Sequence, residues 1–455
     1  MNKKLLTLLS ASLLIQAQSI YAADLLGTWQ AAQENDYQYR SGKIEQQIGN
    51  SKREQAGSLW KPQVQASATG GWNNSNCSIQ GAQFSAPGFG TVNGANFNTS
   101  INSGAVGKYD VTSVMPVYNK EKDAQKKQLN LSADIADTNL EFEHQYLMMQ
   151  VSEKYFGVLL ADEGVRSTEK LLNSLKRSQG ELNRRAAIGD ASLTDAQEIA
   201  AKIESTKVRL LDQQIQYQTK LLDLQDLLKT KESIQPLKSF KVGVLIPKQN
   251  LEQIREQMMR SSPSLRMLAL QHQIQATESE KFRAESSPTI SAVAQASYQR
   301  AVGNGDYGTS SMSNTNNIVG LQLSIPLYTG GYRSAKLEES LQQAEKTKNS
   351  LEKTTLDFEK NLRQSWLSLS QAEARIKTLE SSNASNMSRL QNTRAAHGTG
   401  AKTTLELLGA EMDANASEMN LYNEKIQLIL QYIRVAFWSG DLKEENLKQI
   451  NAMLK

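Results

Sequence analysis

Hydrophobic and polar residues recur along Tyr332–Ala396 at steps of three and four, in a stretch without proline or glycine. Two heptad positions can be followed through eight heptads, and eleven of their sixteen residues are apolar. They are Leu337, Ala344, Leu351, Phe358, Ser365, Ala372, Leu379 and Asn386, and Leu341, Lys348, Thr355, Leu362, Leu369, Ile376, Asn383 and Leu390. Such a seam predicts a coiled-coil helix, roughly 100 Å long, that packs against partners along its length.

Five further stretches have the same helical periodicity but differ in length. They are Asp24–Leu59, Asn119–Ala187, Ser192–Lys229, Leu251–Glu285 and Thr403–Trp438, and a short amphipathic segment follows at Glu444–Leu454. Two helices of about 36–38 residues placed end to end match one of about 68, because every helix rises by about 1.5 Å per residue. We therefore predict that each half of the chain forms a long helical hairpin.

Four short stretches alternate between apolar and polar residues, as half-buried β-strands do. They are Val64–Thr69, Tyr109–Met115, Ile290–Tyr298 and Ile318–Leu327, and we expect Pro116 to close the second and Pro326 the fourth. A long loop rich in Gly, Asn and Ser is predicted between the first two strands, and another at Gly303–Asn317. No charged residue occurs between Pro62 and Gly107. We expect Gln80–Ala105 and Gly303–Ser313 to lie outside the cell, at hairpin tips where insertions are tolerated.

The second half of the chain repeats the order of the first: helix, two strands, long helix, shorter helix. Pro62 corresponds to Pro288, Met115–Tyr118 to Ile325–Tyr328, and the turn at Gly189 to the turn at Gly400. The spacing of 210–226 residues is far longer than a solenoid unit and indicates a duplicated half. The predicted divisions are a signal peptide at 1–22, a first repeat at 23–230, a connector at 231–250, a second repeat at 251–440 and a C-terminal amphipathic segment at 441–455.

The N-terminus has the pattern of a secretory signal peptide, because Lys3 and Lys4 precede an apolar run and Ala22 offers a small residue for cleavage. Of the 51 Lys and Arg residues, 49 remain without those two, against 47 Asp and Glu. This balance gives no sign of a nucleic-acid-binding surface. Cys77 is the single cysteine, and the three histidines lack metal-ligand spacing. No nucleophile motif or Walker loop occurs, so we expect neither an enzyme nor a bound cofactor or metal.

Four strands per chain cannot close a barrel, and the open edge of a sheet cannot face lipid. An exported chain with such strands therefore closes them by association, and three chains would supply twelve strands, within the known range for outer-membrane barrels. Four tyrosines near the predicted strand ends, Tyr109, Tyr118, Tyr298 and Tyr328, fit the aromatic girdle of such a barrel. The alternative is that these residues flank the loops of a soluble hairpin.

Each glycine turn is followed by a hydroxyl residue and, three positions after it, by an acid. Ser192 and Asp195 follow Gly189, and Thr403 and Glu406 follow Gly400. This spacing predicts a capping box, in which the hydroxyl and the acid satisfy free N–H groups of the next helix. A functional role for the acids is compatible with capping.

In these features the sequence resembles the TolC-type family of outer-membrane channels, which serve efflux and type I secretion. The most specific are Ile325–Gly331 at a strand-to-helix junction, the two glycine turns with their acids, and the prolines Pro62 and Pro288. The resemblance covers essentially the whole chain after the signal peptide. It implies an α+β membrane protein whose trimer has a twelve-strand β-barrel in the outer membrane of a Gram-negative bacterium, continued through the periplasm by a coiled-coil tunnel of twelve α-helices.

The resemblance also implies roles for residues at the periplasmic end, where the tunnel closes by inward coiling of the hairpins. Glu406 matches an acid at the narrowest point of the closed tunnel, whereas Gly409 stands where a second acid is often found, so the ring of charge should be weaker. His397 replaces an aromatic residue of some members.

The same resemblance implies a contact between two hairpins. Lys402 matches a basic residue that pairs with a Thr–Asp of the other hairpin, and Thr194 and Asp195 match that pair. The implied partners are two further copies of the chain, outer-membrane lipid, a periplasmic adaptor (membrane fusion protein) and an inner-membrane pump of the RND, ABC or MFS type.

Two other classes of protein have long helical hairpins. A periplasmic adaptor would carry one hairpin inserted in β-rich domains, and a structural coiled-coil surface protein would lack the repeated strand pairs bounded by proline. The sequence therefore favours the exit duct. It does not name the cargo, because a passive duct has no substrate pocket.

Overall fold

A computed structural model of the chain describes residues 24–188, 192–229, 245, 249–283, 287–306 and 308–454. In that part the helices are α1 Leu25–Asn35, α2 Tyr37–Ser58, α3 Lys120–Ala187, α4 Leu193–Leu228, α5 Leu251–Ser261, α6 Pro263–Phe282, α7 Tyr332–Gly398, α8 Thr404–Trp438 and α9 Glu444–Met453. The strands are β1 Gln63–Ala86, β2 Gly90–Tyr118, β3 Thr289–Gly305 and β4 Gly308–Ser324. The predicted signal peptide and most of the predicted connector lie outside the described residues. The boundaries of the two repeats remain a prediction.

The four predicted helices α3, α4, α7 and α8 are confirmed, and α7 contains the whole heptad stretch. Their ends agree with the sequence to within a few residues. Two other predicted helices are each broken into two.

The first break falls at Asp36, between α1 and α2. Its backbone is extended (φ −68°, ψ 126°), and its side chain accepts a hydrogen bond of 2.7 Å from the N–H of Tyr39. The second falls at Ser262, between α5 and α6, with the same extended backbone. Proline disfavours helical geometry in the residue before it, and Pro263 is the first residue of α6. The prediction of single helices at Asp24–Leu59 and Leu251–Glu285 is therefore wrong.

The strands are much longer than predicted, and most of the two predicted loops is strand. The β1–β2 ladder continues through three register shifts as far as Ala86 and Gly90, and the β3–β4 ladder reaches Gly305 and Gly308. Residues rich in Gly, Asn and Ser therefore form hairpin arms rather than loops. The backbone ladder with a neighbouring strand holds these arms, and it does not require alternating hydrophobicity.

Two of the four prolines do not lie where we expected. Pro116 does not close β2 but lies inside it, opposite Ser291, next to a register shift. Pro326 follows the end of β4 instead of lying in the strand. Pro62 and Pro288 directly precede β1 and β3, where the missing N–H of proline costs no ladder hydrogen bond.

The sheet is antiparallel with the strand order β1-β2-β3-β4, so β1 and β4 are its edges. Its two faces differ in chemistry. Residues that pair directly across neighbouring strands form a row on one face of the sheet. On one face, which we call the outer face, the rows from Ile290 to Tyr298 are mostly apolar. Its apolar residues are Val64, Ala66, Ala68, Tyr109, Val111, Met115, Ile290, Ala292, Ala294, Ala296, Tyr298, Val319, Leu321 and Leu323. On the opposite, inner face most residues between these rows are polar, with Val114, Pro116, Val293 and Ile318 as apolar exceptions. The polar residues are Gln63, Gln65, Ser67, Asp110, Thr112, Ser291, Gln295, Ser297, Asn316 and Gln322.

Exposure distinguishes the two faces as well. Along β3, residues 296, 298, 300, 302 and 304 are exposed, whereas the residues between them are partly or fully buried. Tyr109 and Tyr298 are direct neighbours across β2 and β3. They lie in the middle of their strands, not near the ends as predicted. The next row on the outer face, Gly70, Gly107 and Arg300, is the first without an apolar side chain, and Trp72, Ala105 and Val302 form the row after it.

The chain divides into two compact units. One comprises Met1–Gln47, Ala136–Leu268 and Ser350–Lys455, and the other Ile48–Ile135 and Ala269–Asn349. The first contains a large apolar core in which Phe156, Tyr155, Met148, Leu362 and Leu369 are fully buried. The second contains the sheet. In the described residues no helix is both long enough and apolar enough to cross a membrane.

Candidate functional site

The turn between α7 and α8 is held by backbone hydrogen bonds around one glycine. Ala401 donates its N–H to the carbonyl of Ala396 (2.9 Å), and Gly400 donates to His397 (3.0 Å). Gly400 has a φ of +78°, a left-handed conformation that favours glycine. This is a Schellman motif, which ends α7 and reverses the chain direction.

A complete capping box begins α8. Thr403 Oγ1 accepts the N–H of Glu406 (3.2 Å), and Glu406 Oε2 accepts the N–H of Thr403 (2.9 Å). The other carboxylate oxygen lies 2.5 Å from the ammonium of Lys402. Hydrogen bonds from Lys402, then from the backbone and hydroxyl of Thr403, lower the pKa of Glu406 to about 2. The capping prediction is confirmed here, and the carboxylate is ionised at neutral pH.

The turn before α4 is built differently. Ser192 Oγ accepts the N–H of Thr194 (3.2 Å), one position earlier than a capping box requires. The reciprocal box predicted for Ser192 and Asp195 is therefore wrong, although Asp195 still lies in the first turn of α4, where an acid favours the helix dipole. Gly189 lies outside the described residues.

Within one chain, Lys402 pairs with Glu406 and not with Thr194 or Asp195. Thr194 is exposed and Asp195 is partly exposed, so both remain accessible to a group from another chain. The pairing of Lys402 with Thr194 and Asp195 thus remains a prediction about contacts between chains of the assembled protein. Gly409 lies in the first turns of α8 and faces open space, since an added Cβ would meet no atom within 4 Å.

His397 links the α7–α8 turn to α3. Its Nε2 lies 3.2 Å from Thr404 Oγ1 and 3.5 Å from Glu181 Oε1, and its side chain is only 11% exposed. In the first compact unit, His397 therefore contacts the first hairpin through Glu181 and the second through Thr404. The sequence indicated a role at this position but not these partners.

A polar seam between α3 and the second hairpin was not predicted from the sequence. Its centre is Glu411 on α8, which accepts a hydrogen bond from the hydroxyl of Ser174 on α3 and forms an ion pair of 2.8 Å with Arg394 on α7. One heptad further along α8, Glu418 pairs with Lys170 of α3 at 2.9 Å.

The seam also has an apolar part. Leu171, Leu172, Leu175 and Leu182 of α3 form a small core with residues of α4 and with Leu408 of α8. Beside this core lies a cavity of about 190 Å³, bordered by Lys170, Arg177, Arg394 and Glu411 among others. Leucines and polar side chains together therefore attach α8 to α3 next to the two turns.

The described residues contain no group of three or more His, Cys, Asp or Glu side chains arranged to hold a metal ion. The site is thus a set of helix ends, caps and contacts between hairpins.

Residues 254–440 match the model of the outer membrane efflux protein family. Over its full length the chain is similar to the proteases secretion protein PrtF of Dickeya chrysanthemi, with 23% identity across 98% of this chain and 94% of the relative. It is also similar to the outer membrane protein TolC of Vibrio cholerae, with 22% identity across 100% and 99%. The family model and these relatives all indicate the TolC-type outer-membrane channel family.

The fold of this TolC-type chain agrees with that assignment. The solved structure of CusC superposes with a TM-score of 0.73 over 92% of each chain at 16% identity. The predicted fold class is confirmed: the chain is rich in helix and has one four-stranded antiparallel sheet, which is consistent with one chain of a trimeric barrel continued by a helical tunnel. It is an outer-membrane protein that extends into the periplasm. The family consists of transport ducts and is not a known enzyme family.

Proposed function

We propose that this TolC-type protein is the passive exit duct of a tripartite system. An inner-membrane pump and a periplasmic adaptor deliver the cargo, and the trimer conducts it to the exterior. Similarity to PrtF along nearly the whole chain favours type I secretion of a protein through an ABC-type pump. Drug efflux through an RND or MFS pump is the second candidate, favoured by the match to the efflux protein family.

The observation that carries this proposal is the sheet. Its outer face is apolar over the rows from Ile290 to Tyr298, yet β1 and β4 are left as edges. Edge N–H and C=O groups have no partner in lipid, so a sheet of this kind requires closure by other copies. A channel wall, polar inside and apolar outside, meets both requirements.

We further propose that the two turns form the periplasmic gate. Support comes from the exposure of Thr194 and Asp195, the cation of Lys402, and the ionised carboxylate of Glu406 at the start of α8. In the closed trimer, Lys402 of one hairpin ties to Thr194 and Asp195 of a neighbouring hairpin, and the three Glu406 side chains lie around the pore. His397 holds the second hairpin against Glu181.

Assembly is tested by measuring the mass of the protein extracted from outer membranes in detergent. We expect a homotrimer that conducts ions in planar bilayers. A folded monomer, or a protein recovered in soluble form from the periplasm, would refute the duct.

The partners are identified by crosslinking the cell envelope and purifying the protein with what is bound to it. An ABC pump together with an adaptor supports protein secretion, and an RND or MFS pump supports efflux. Recovery of neither an adaptor nor a pump would contradict the tripartite system.

A further inference from the structure

The outer face of the sheet carries a single charge in the part of the strands that the structure describes. Arg300 of β3 is exposed on this face, and no carboxylate lies within ion-pair distance of it there. The other charged strand residues, Lys108 and Asp110, belong to the inner face, where they lie 3.8 Å apart and Ser67 donates to Asp110. A lone cation on a face that is otherwise neutral requires an explanation.

The position of Arg300 relative to the apolar rows explains why a charge occurs there. From Ile290 to Tyr298 the rows cover eight residue steps, which is about 26 Å along the strand and about 20 Å at the tilt of barrel strands. This is close to the apolar band of outer-membrane barrels, about 25 Å tall with aromatic residues at its margins. Arg300 lies two residues beyond Tyr298, or about 7 Å further along the strand, at the level of lipid headgroups.

The neighbours of Arg300 leave room for a ligand. Gly107 of β2 lies directly opposite it, with Gly70 of β1 in the same row and Ser313 of β4 on the other side. A Cβ added to Gly107 would meet no atom within 4 Å, so the surface next to the guanidinium is an open notch. Trp72, which is 84% exposed, lies in the next row on the same face.

The sheet direction decides which leaflet Arg300 meets. The chain leaves the sheet for α3 after β2 and for α7 after β4, at the end near Ile290. Those helices extend into the periplasm, so the margin marked by Tyr109 and Tyr298 is the outer one. The outer leaflet of such a membrane consists largely of phosphorylated glycolipid.

We propose that Arg300, with the notch formed by Gly107 and Gly70, is a binding site for the phosphate of an outer-leaflet glycolipid, present three times per trimer. A guanidinium is planar, remains charged at all relevant pH values and binds phosphate with two parallel hydrogen bonds. Trp72 is placed to contact the sugar of the same lipid, since tryptophan favours the membrane interface. This inference rests on the proposed function in one respect, because it requires the assembled barrel in the outer membrane.

The test is the binding of purified diphosphorylated lipid A to the full-length trimer in neutral detergent, counted by native mass spectrometry. We expect up to three lipids per trimer, and a loss of affinity of about five- to tenfold in Arg300→Gln, because a charge-assisted hydrogen bond at an exposed site is removed. Gly107→Val, which fills the notch and keeps the arginine, should weaken binding as well. Lys108→Gln removes the same charge one residue row away on the inner face and should leave affinity unchanged.

Three further probes separate the sources of phosphate. Dephosphorylated lipid A should bind at least fivefold more weakly, and millimolar inorganic phosphate should not displace the lipid. Displacement by inorganic phosphate, or equal affinity for phosphatidylglycerol, would overturn the glycolipid assignment. Equal affinity of Arg300→Gln and the wild type would overturn the site itself. Because conductance is measured separately, a trimer that conducts but does not bind lipid A refutes this inference and leaves the duct intact.

Discussion

Replacing Glu411 by alanine should open the proposed gate more than any other change in the polar seam. The carboxylate is 14% exposed and joins three helices, because Ser174 of α3 and Arg394 of α7 both donate to it. Ser174 is itself buried and would lose its acceptor. If the second hairpin moves away from α3 when the tunnel opens, the bond from Ser174 exists only in the closed state, whereas Arg394 moves together with Glu411.

The size of the effect follows from these contacts. A hydrogen bond to a charged group contributes about 1.5–3 kcal/mol, and the Arg394 pair adds nothing to the closed–open difference because both of its partners lie in the second hairpin. We therefore expect a loss of about 1.5–3 kcal/mol per chain, and about 4.5–9 kcal/mol when three chains open together. A change of this size shifts the closed–open equilibrium by two or more powers of ten.

Glu418→Ala is the matched control, since it lies on the same helix seven residues away and also pairs with α3. The Lys170–Glu418 pair is 67% and 51% exposed, so its loss should cost about 0–1 kcal/mol per chain. Single-channel recordings in planar bilayers should show a raised open fraction for Glu411→Ala, a smaller rise for Glu411→Gln, and little change for Glu418→Ala. Equal behaviour of the two alanine variants would show that the buried contacts do not hold the gate.

Three other predictions concern the turns and the topology. Gly400→Ala should destabilise the first unit by about 1 kcal/mol, because Gly400 has a φ of +78°. Gly409→Ala should stabilise the same unit by up to about 1 kcal/mol, because Gly409 lies in a helix and faces open space. Thermal unfolding of the two variants measures both changes. Lys402→Ala should raise single-channel conductance, and Glu406→Ala should alter cation selectivity and block by divalent ions; wild-type values for both would mean that the residues are only structural. Cys77, partly buried in β1, should react on whole cells with a membrane-impermeant thiol reagent, and reaction only after disruption of the outer membrane would reverse the topology.

The long helices could be predicted because their pattern is local. The heptad positions of Tyr332–Ala396 repeat without interruption, and glycine marks the end of α7. The break at Ser262 has a local signal, because Pro263 disfavours helical geometry in the residue before it. At Asp36 the signal was a single acid able to accept the N–H of Tyr39, and such residues are common inside helices.

The length of the strands could not be predicted in the same way. Between residues 70 and 107 the chain has the composition of a loop, and its extended backbone is fixed by pairing with a neighbouring strand. The seam at Glu411 depends on a partner 237 residues away, and no spacing within one helix indicates which acid will meet Ser174. Capping at Thr403 was visible because all of its partners lie within four residues.

The proposed gate contains a pairing of Lys402 with Asp195 of a neighbouring chain, which we call the clasp, and a carboxylate at Glu406 that faces the pore. The contacts at the α8 turn show that the two are not independent. Lys402 provides the largest contribution to the low pKa of Glu406, through an ammonium 2.5 Å from its carboxylate. If the same ammonium turns to Asp195 of a neighbouring chain, the negative charge of Glu406 is no longer neutralised by it. The ring of acids would then be most negative when the gate is closed.

This coupling changes how Lys402→Ala must be interpreted, because the variant both removes the clasp and leaves Glu406 without its ammonium. The bond of Glu406 to Thr403 persists, so its carboxylate remains ionised at neutral pH while its pKa rises from about 2 toward the ordinary range. Asp195→Ala removes the clasp and an acid in the first turn of α4, but it leaves Lys402 beside Glu406. If conductance rises equally in both variants, the clasp holds the gate; if it rises only in Lys402→Ala, the unpaired charge of Glu406 is the cause, and adding Glu406→Ala should restore the wild-type value.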